Sequence, residues 1–217
     1  WTTNNISVTS GITYDAMIDS PTMGYSATQP VGNYAVLNPL WKGSNSILNG
    51  NLTYSGNGGV ANSTIGMSSG KWYCEYTQPS ILDQYVGIAI DSNNPNHSWL
   101  GQNANEYTYE RDGRKASNAV QVAYGAAWSA NDIIGIAFDA DNWTITFYKN
   151  NVSQGVAYTG ITPGNYYFAC GNNPGSTLTG YMNFGQRPFS YTPPSGYKAL
   201  CTSNLPNSTI LKGNQYM

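Results

Sequence analysis

Between Asp132 and Gly160 the chain reads DIIGIAFDADNWTITFYKNNVSQGVAYTG, and this stretch limits the fold more than any other. Ile134, Ile136 and Phe138 alternate with Ile133, Gly135 and Ala137; Ile145 and Phe147 alternate with Thr144, Thr146 and Tyr148. A period of two in β-branched and aromatic residues predicts half-buried strands, because successive side chains leave a strand on opposite faces. Polar turns at Asp139–Asn142 and at Asn150-Asn151 separate the runs, and Asn tolerates the left-handed backbone that tight hairpins need. A three-strand antiparallel meander follows.

The remaining chain is punctuated in the same way. Residues 1–31 are rich in Thr, Asn and Ser with weak alternation, and predict an extended arm or edge strand. Short strands are expected within Gly32–Leu40, which Pro39 closes, and within Asn49–Tyr54, before the Gly-rich turn Gly56–Gly59. After a turn at Ser68–Gly70 comes a strong strand with Trp72, Cys74 and Tyr76 on one face, then the central run Tyr85–Ile90. Tyr107 and Tyr109 begin an alternation that breaks at Arg111–Gly113; Val120–Tyr124, Tyr166–Cys170 and Tyr181–Phe184 resume it. Gly185–Leu200 is too rich in proline for a central strand. No stretch has the apolar period of an amphipathic helix. Short strands, turn signals and no helices imply an all-β fold of two packed antiparallel sheets over residues 32–200, with 201–217 as linker or terminal arm.

Charged residues make up 9% of the chain, against about 25% in an average soluble protein. A net charge of −2, with Arg111, Arg114 and Lys115 as the basic cluster, gives no electrostatic case for nucleic acid. No apolar run nears the roughly 20 residues of a membrane span, so no membrane insertion is expected. With 18 Tyr and 6 Trp among abundant Asn, Ser, Thr and Gly, the surface is expected to be neutral, polar and aromatic. Such surfaces suit recognition, although the same residues also serve turns and sheet ladders. The start at Trp1, with no signal-like apolar region, is expected of a processed or excised piece. Cys74, Cys170 and Cys201 are too scattered for a zinc site, and are expected as free, buried thiols.

Enzymatic chemistry finds little purchase. Glycosidases need two carboxyls about 5–5.5 Å or 6.5–9.5 Å apart. The candidates are Glu75, Glu106 and Glu110, and four strand steps place Glu106 and Glu110 roughly 13 Å apart. His97, the single histidine, stands in the loop sequence NNPNHS with no nucleophile motif around it. Asp139 and Asp141 are weak metal candidates, because the acidic turn lacks the Gly and distal Glu of a calcium loop; holding the hairpin turn is their expected role. No catalytic residue, metal or cofactor is therefore expected. Binding remains, and the anchors expected for it are Trp99, Tyr107, Tyr109, Arg111, Arg114 and Trp128, aromatic and Arg residues around the two least regular intervals. Tyr107 and Tyr109 share a strand face, so both are core or both displayed.

The order GKWYCEYT, VGIAI, DIIGIAFD, TITFYKNN, GVAY and NFGQRPFSYTPPSGYKAL resembles the SPRY (B30.2-like) domain family over roughly Ser63 to Leu200. One departure stands out: Trp143 occupies a position after the acidic turn where the family usually has Gly. The segments DSPT, GNYAVLNPL, STIGMSSGKWYCEYT, NFGQRPFSYTPP and SNLP are similar to SPRY-containing structural proteins of tailed bacteriophages. The resemblance implies a concanavalin-like two-sheet sandwich that binds through loops at one edge and has no catalytic activity. It further implies a virion module (tail fibre, head fibre or decoration protein), made in the host cytoplasm and displayed on the particle. Its partners would be other virion proteins and a host-surface glycan or protein, with homo-oligomerisation left open. Two alternatives stand beside it: a carbohydrate-active hydrolase on the same architecture, and a cellular SPRY adaptor that docks short peptides.

Overall fold

A computed structural model describes residues 32–80, 83–90, 94–175 and 177–206; the arm expected over 1–31 and residues 207–217 lie outside them. The strands are β1 (Ser46–Leu48), β2 (Thr53–Gly56), β3 (Gly59–Asn62), β4 (Lys71–Thr77), β5 (Gln84–Ile90), β6 (Glu106–Glu110) and β7 (Arg114–Ser117). They continue with β8 (Val120–Ala123), β9 (Ile133–Asp139), β10 (Thr144–Lys149), β11 (Val152–Tyr158), β12 (Tyr166–Asn172), β13 (Leu178–Asn183) and β14 (Lys198–Ala199). One sheet runs β1-β2-β13-β4-β9-β10-β11, with β14 pairing in parallel to β4; the other runs β3-β12-β5-β6-β7-β8. This is the expected two-sheet sandwich. The predicted meander is β9-β10-β11, in continuous register from Thr144↔Asp139 to Lys149↔Ile134.

The core lies between the sheets. Trp72, Cys74 and Tyr76 of β4 share it with Ile134, Ile136 and Phe138 of β9, each at 2% exposure or less. Full burial of an aliphatic or aromatic side chain of this size contributes about 1.5–3 kcal/mol. Both outer faces are also covered. Tyr73 stacks edge-on against Phe189 at 5.0 Å. Beside it, Glu75 accepts hydrogen bonds from the Ser190 and Tyr191 amides at 2.9 and 3.0 Å. On the six-stranded sheet, Val60, Tyr85, Ala89, Leu100 and Ala169 form a second cluster under Trp41 and Trp99.

Three expectations need correction. Gly32–Leu40 makes isolated bridges, Tyr34↔Cys201 and Leu37↔Ser63, because successive residues bond to different segments rather than to one neighbour. Asn49–Tyr54 is a turn followed by β2, since Asn49, Gly50 and Asn51 have φ of 52°, 65° and 63°. The packed unit also runs past Leu200: Cys201 is fully buried and a 3₁₀ turn follows at Thr202–Asn204. All three cysteines are free and buried.

Asp139 and Asp141 hold the β9–β10 turn. Asp139 accepts from the Asp141 and Asn142 amides, the Asn142 side chain and Lys71 Nζ, while Asp141 accepts from the Gly70 amide. Trp143 closes that turn with φ of 55°, a left-handed backbone that costs a residue with a Cβ about 1–2 kcal/mol. Its ring packs against Phe138 and Tyr166 at 6.2 Å from each, capping the open end of the core. Backbone preference and ring contact thus oppose each other. Trp143→Ala is expected to cost about 2–3 kcal/mol, and Trp143→Gly about 1 kcal/mol less, in urea denaturation. Equal losses in the two variants would show that the left-handed backbone carries no strain.

Candidate functional site

The six nominated anchors divide between the interior and the surface. Tyr109 and Trp128 are buried at 0% and 1% exposure, so neither presents a face to a ligand, and the expectation that they anchor one is corrected. Tyr109 stacks on Trp128, Phe147 and Tyr124, with centroids at 5.9, 5.4 and 5.3 Å. Tyr107 shares that inner face, half-buried and edge-on to Tyr158 at 5.1 Å. Trp99 lies on the opposite face of the sheet, over Tyr85 at 5.2 Å. Arg111 and Arg114 alone converge.

They meet where the loops at one end of the sandwich are stitched together. The Arg111 amide donates to Gln84 O at 3.0 Å, the Trp128 amide to Arg111 O at 2.8 Å, and the Asn131 amide to Gln78 O at 2.6 Å. Lys149 Nζ reaches Ala127 O at 2.8 Å and Asp132 at 3.2 Å. The turn after β6 tightens at Gly113, with φ of 92°, where a Cβ would sit 2.5 Å from Gly125 O. Asp112 Oδ1 accepts from the Arg114 amide at 3.1 Å and completes the turn.

A recess of about 40 Å³ opens there, lined by Asp83, Gln84, Tyr85, Glu110, Arg111, Asp112 and Arg114. That volume accommodates one small polar group or a water. Glu110 is 2% exposed, and its Oε2 is engaged by Arg114 at 3.1 Å and Gln121 at 3.1 Å. Arg114 also contacts Asp112 at 2.7 Å and Gln121 Oε1 at 2.8 Å. Arg111 leans on Asp83 at 3.5 Å. Among the buried side-chain atoms without a hydrogen-bond partner in the described residues, four belong to this lining: the acceptors Gln84 Oε1 and Glu110 Oε1, and the donors Arg111 Nε and Arg114 Nε, the last ion-paired with Asp112. Burial pushes the Glu110 carboxyl up to about 7, with Arg114 opposing and Asp112 adding to the rise. A buried polar atom without a partner costs about 1–3 kcal/mol, and a ligand that supplies the partner recovers that cost on binding.

The other two glutamates are occupied. Glu106 accepts from the Gly101 and Asn103 amides and the Asn103 side chain, and pairs with His97 Nε2 at 3.0 Å. Glu75 holds the 190–191 backbone. A larger recess of about 370 Å³ lies at the opposite end, between Gly70, Trp72 and Lys198 and the segment Ser203–Pro206, but among the described residues no unpaired buried side-chain polar atom belongs to its lining. Asp83 and Gln84 escaped the sequence reading, Tyr85 entered it only as the start of a strand, and Glu110 only as a hydrolase carboxyl. The period-two pattern Glu106-Thr108-Glu110 looks like a solvated face until the residues that cover it are known.

Comparison with known proteins agrees with this architecture. The family model described as SPRY domain matches residues 71–187. The E3 ubiquitin-protein ligase RKP of Arabidopsis thaliana is 36% identical over 137 residues, 60% of this chain and 10% of that protein. Ran-binding protein 9 of Homo sapiens is 30% identical over 112 residues, 50% of this chain and 15% of that protein. The chain thus spans a small part of the curated relatives it matches. The crystal structure of the SPRY domain of human HERC1 superposes with a TM-score of 0.58 at 17% identity, covering 68% of this chain and 96% of that one. These relatives are cellular proteins of a plant and of humans, and they lend no support to the virion likeness.

Proposed function

The chain belongs to the SPRY domain family, and from that premise we propose that it is a non-enzymatic protein-binding module that docks an extended peptide of its partner. The observation that carries the proposal is the set of unpartnered atoms at the loop end, the acceptors Glu110 Oε1 and Gln84 Oε1 beside the donor Arg111 Nε, lining one recess. An acceptor and a donor together suit an amide group, whose N–H and C=O supply the complementary pair. Partner backbone or an Asn or Gln side chain has that chemistry. The similarity to cellular SPRY proteins favours the cellular adaptor alternative over the virion module. The hydrolase alternative has less behind it, since Glu75 and Glu106 are both committed to backbone amides.

Peptide display on the isolated domain, followed by titration of a selected peptide, tests the proposal. Glu110→Gln and Arg111→Gln are each expected to weaken binding about tenfold, or 1.4 kcal/mol. Lys198→Gln, at the other end, is expected to leave it unchanged. Affinity should also rise between pH 6 and 8, because an N–H donor favours the ionised carboxylate and Glu110 loses its proton near pH 7. Glu110→Gln should flatten that profile. Selected peptides indifferent to both substitutions would refute the site.

A further inference from the structure

A second surface lies along the side of the sandwich where both sheets end. Among the described residues, β8 closes the six-stranded sheet and pairs with β7 alone, and β11 closes the other sheet and pairs with β10 alone. The two edges are tied together by Lys115 Nζ to Ala157 O and Tyr124 OH to Gly155 O, both at 2.5 Å, and by the Ala126 amide to Gln154 Oε1 at 2.9 Å. Exposed valines cluster here: Val120 and Val122 on β8 are 62% and 45% exposed, and Val152 and Val156 on β11 are 64% and 55% exposed.

Edge strands expose unpaired backbone groups, and proteins ordinarily guard them with charge, proline or a bulge. β11 is guarded by register shifts against β10 on both sides of Thr146. β8 reads VQVA with an unbroken register to β7, and has none of these guards. Its geometry specifies what it can accept. The two-residue turn Asn118-Ala119, with φ of 52° and 59°, is closed by the pair Ser117↔Val120. A closing pair of this kind exchanges both backbone bonds, and alternation then turns the groups of Gln121 and Ala123 away from β7. Val122 is registered opposite Lys115, whose side chain reaches β11, so Val120 and Val122 point towards the other sheet. Gln121 lies on the outer face with Arg114 and Glu110.

We propose that the open edge of β8 accepts an extended peptide strand from a partner protein, with β-branched apolar residues on the face shared with Val120 and Val122 and uncharged polar residues on the other. The outward N–H and C=O of Gln121 and Ala123 supply the ladder, and the valines select the alternation. Four residues give about 13 Å of edge. Two copies pairing through so short a strand fall well below the roughly 800 Å² per partner that a stable dimer buries, whereas a single strand needs no more than this edge. Neither Glu110 nor Arg111 takes part, so this surface stands or falls apart from the loop-end recess.

The probe is an acetylated octapeptide alternating Val and Thr, with backbone amide exchange of the domain as readout. Peptide at millimolar concentration is expected to slow exchange at Gln121 and Ala123 at least tenfold, leaving Val120 and Val122 unchanged. The same octapeptide N-methylated at alternate amides should give no protection, a control that leaves the protein unaltered. Ala123→Pro, which removes an outward N–H from an exposed position, should abolish the effect, and Arg111→Gln should not. Unchanged exchange at both amides overturns the proposal. So does protection that grows with protein concentration in the absence of peptide, which would identify a second copy as the occupant.

Discussion

Replacing Trp128 with alanine is expected to cost about 3–5 kcal/mol of stability, which for a domain of this size lowers the melting temperature by roughly 10 °C. The indole is 1% exposed and lies edge-on to Tyr76 and tilted against Tyr109, both at 5.9 Å. Its removal leaves a cavity that two surrounding sheets cannot collapse to fill. Nε1 also donates to Glu110 O at 2.6 Å, a bond that anchors the first residue of the turn bearing the recess. Trp128→Phe keeps one aromatic ring but loses that bond and part of the indole's volume, so it is expected to cost about 1–3 kcal/mol, less than alanine. Both variants should weaken peptide binding as well, because the freed Glu110 carbonyl no longer positions the turn. Thermal and urea denaturation of both give the stability difference, and a loss under 1 kcal/mol for Trp128→Ala would contradict its place in the core.

The second large effect concerns the residues that cover the six-stranded sheet. Glu106 has a fully buried side chain, and His97 Nε2 meets it at 3.0 Å while Nδ1 lies 2.5 Å from Asn94 O. Both partners of the imidazole accept and neither donates, so this arrangement requires the doubly protonated ring. Burial opposes that charge on His97, but the hydrogen bonds from the ring to Glu106 and Asn94 O, with the Glu106 charge, outweigh it and hold the ring above its ordinary 6.5. Burial likewise opposes the charge on Glu106, and His97 with the Asn103 and Gly101 amides outweighs it, keeping the carboxyl below its ordinary 4.5. The histidine contribution is complete below pH 6.5 and disappears as pH rises through the elevated value. The glutamate contribution is complete above pH 4.5 and disappears as pH falls through the depressed value. Stability from the pair is therefore greatest between pH 4.5 and 6.5. Glu106→Ala, which strands His97 and two amides, is expected to cost about 3–5 kcal/mol. His97→Gln should remove the alkaline decline in urea denaturation run from pH 5 to 9. A decline of the same size in His97→Gln would assign it to another group.

Much of the sandwich was legible because period-two alternation is a local signal. The meander from Ile133 to Tyr158 and the inward face of Trp72, Cys74 and Tyr76 needed no knowledge of what lay across from them. Alternation was silent about covers. Tyr73 and Glu75 alternate with the inner residues yet are equally buried, because the irregular segment around Phe189–Tyr191 folds back over them. The site was harder to read for the same reason. Trp128 and Tyr109 looked available for display since they border irregular intervals, but an irregular segment that packs inward is as buried as a strand. Glu110 became noticeable only when Arg114, Gln121 and the turn at Gly113 showed which of its oxygens remained unpaired. Trp143 was visible as an oddity, and its left-handed backbone with a ring laid on Phe138 accounts for it.

The central claim is that the loop end around Glu110 grips a partner peptide. Amide chemical-shift mapping of the labelled domain, titrated with a display-selected peptide, tests it most directly. The account predicts shifts concentrated at Asp83–Tyr85 and Glu110–Arg114, and their loss in Glu110→Gln. Shifts centred instead on Gly70–Trp72 and Lys198, at the opposite end of the sandwich, would contradict it.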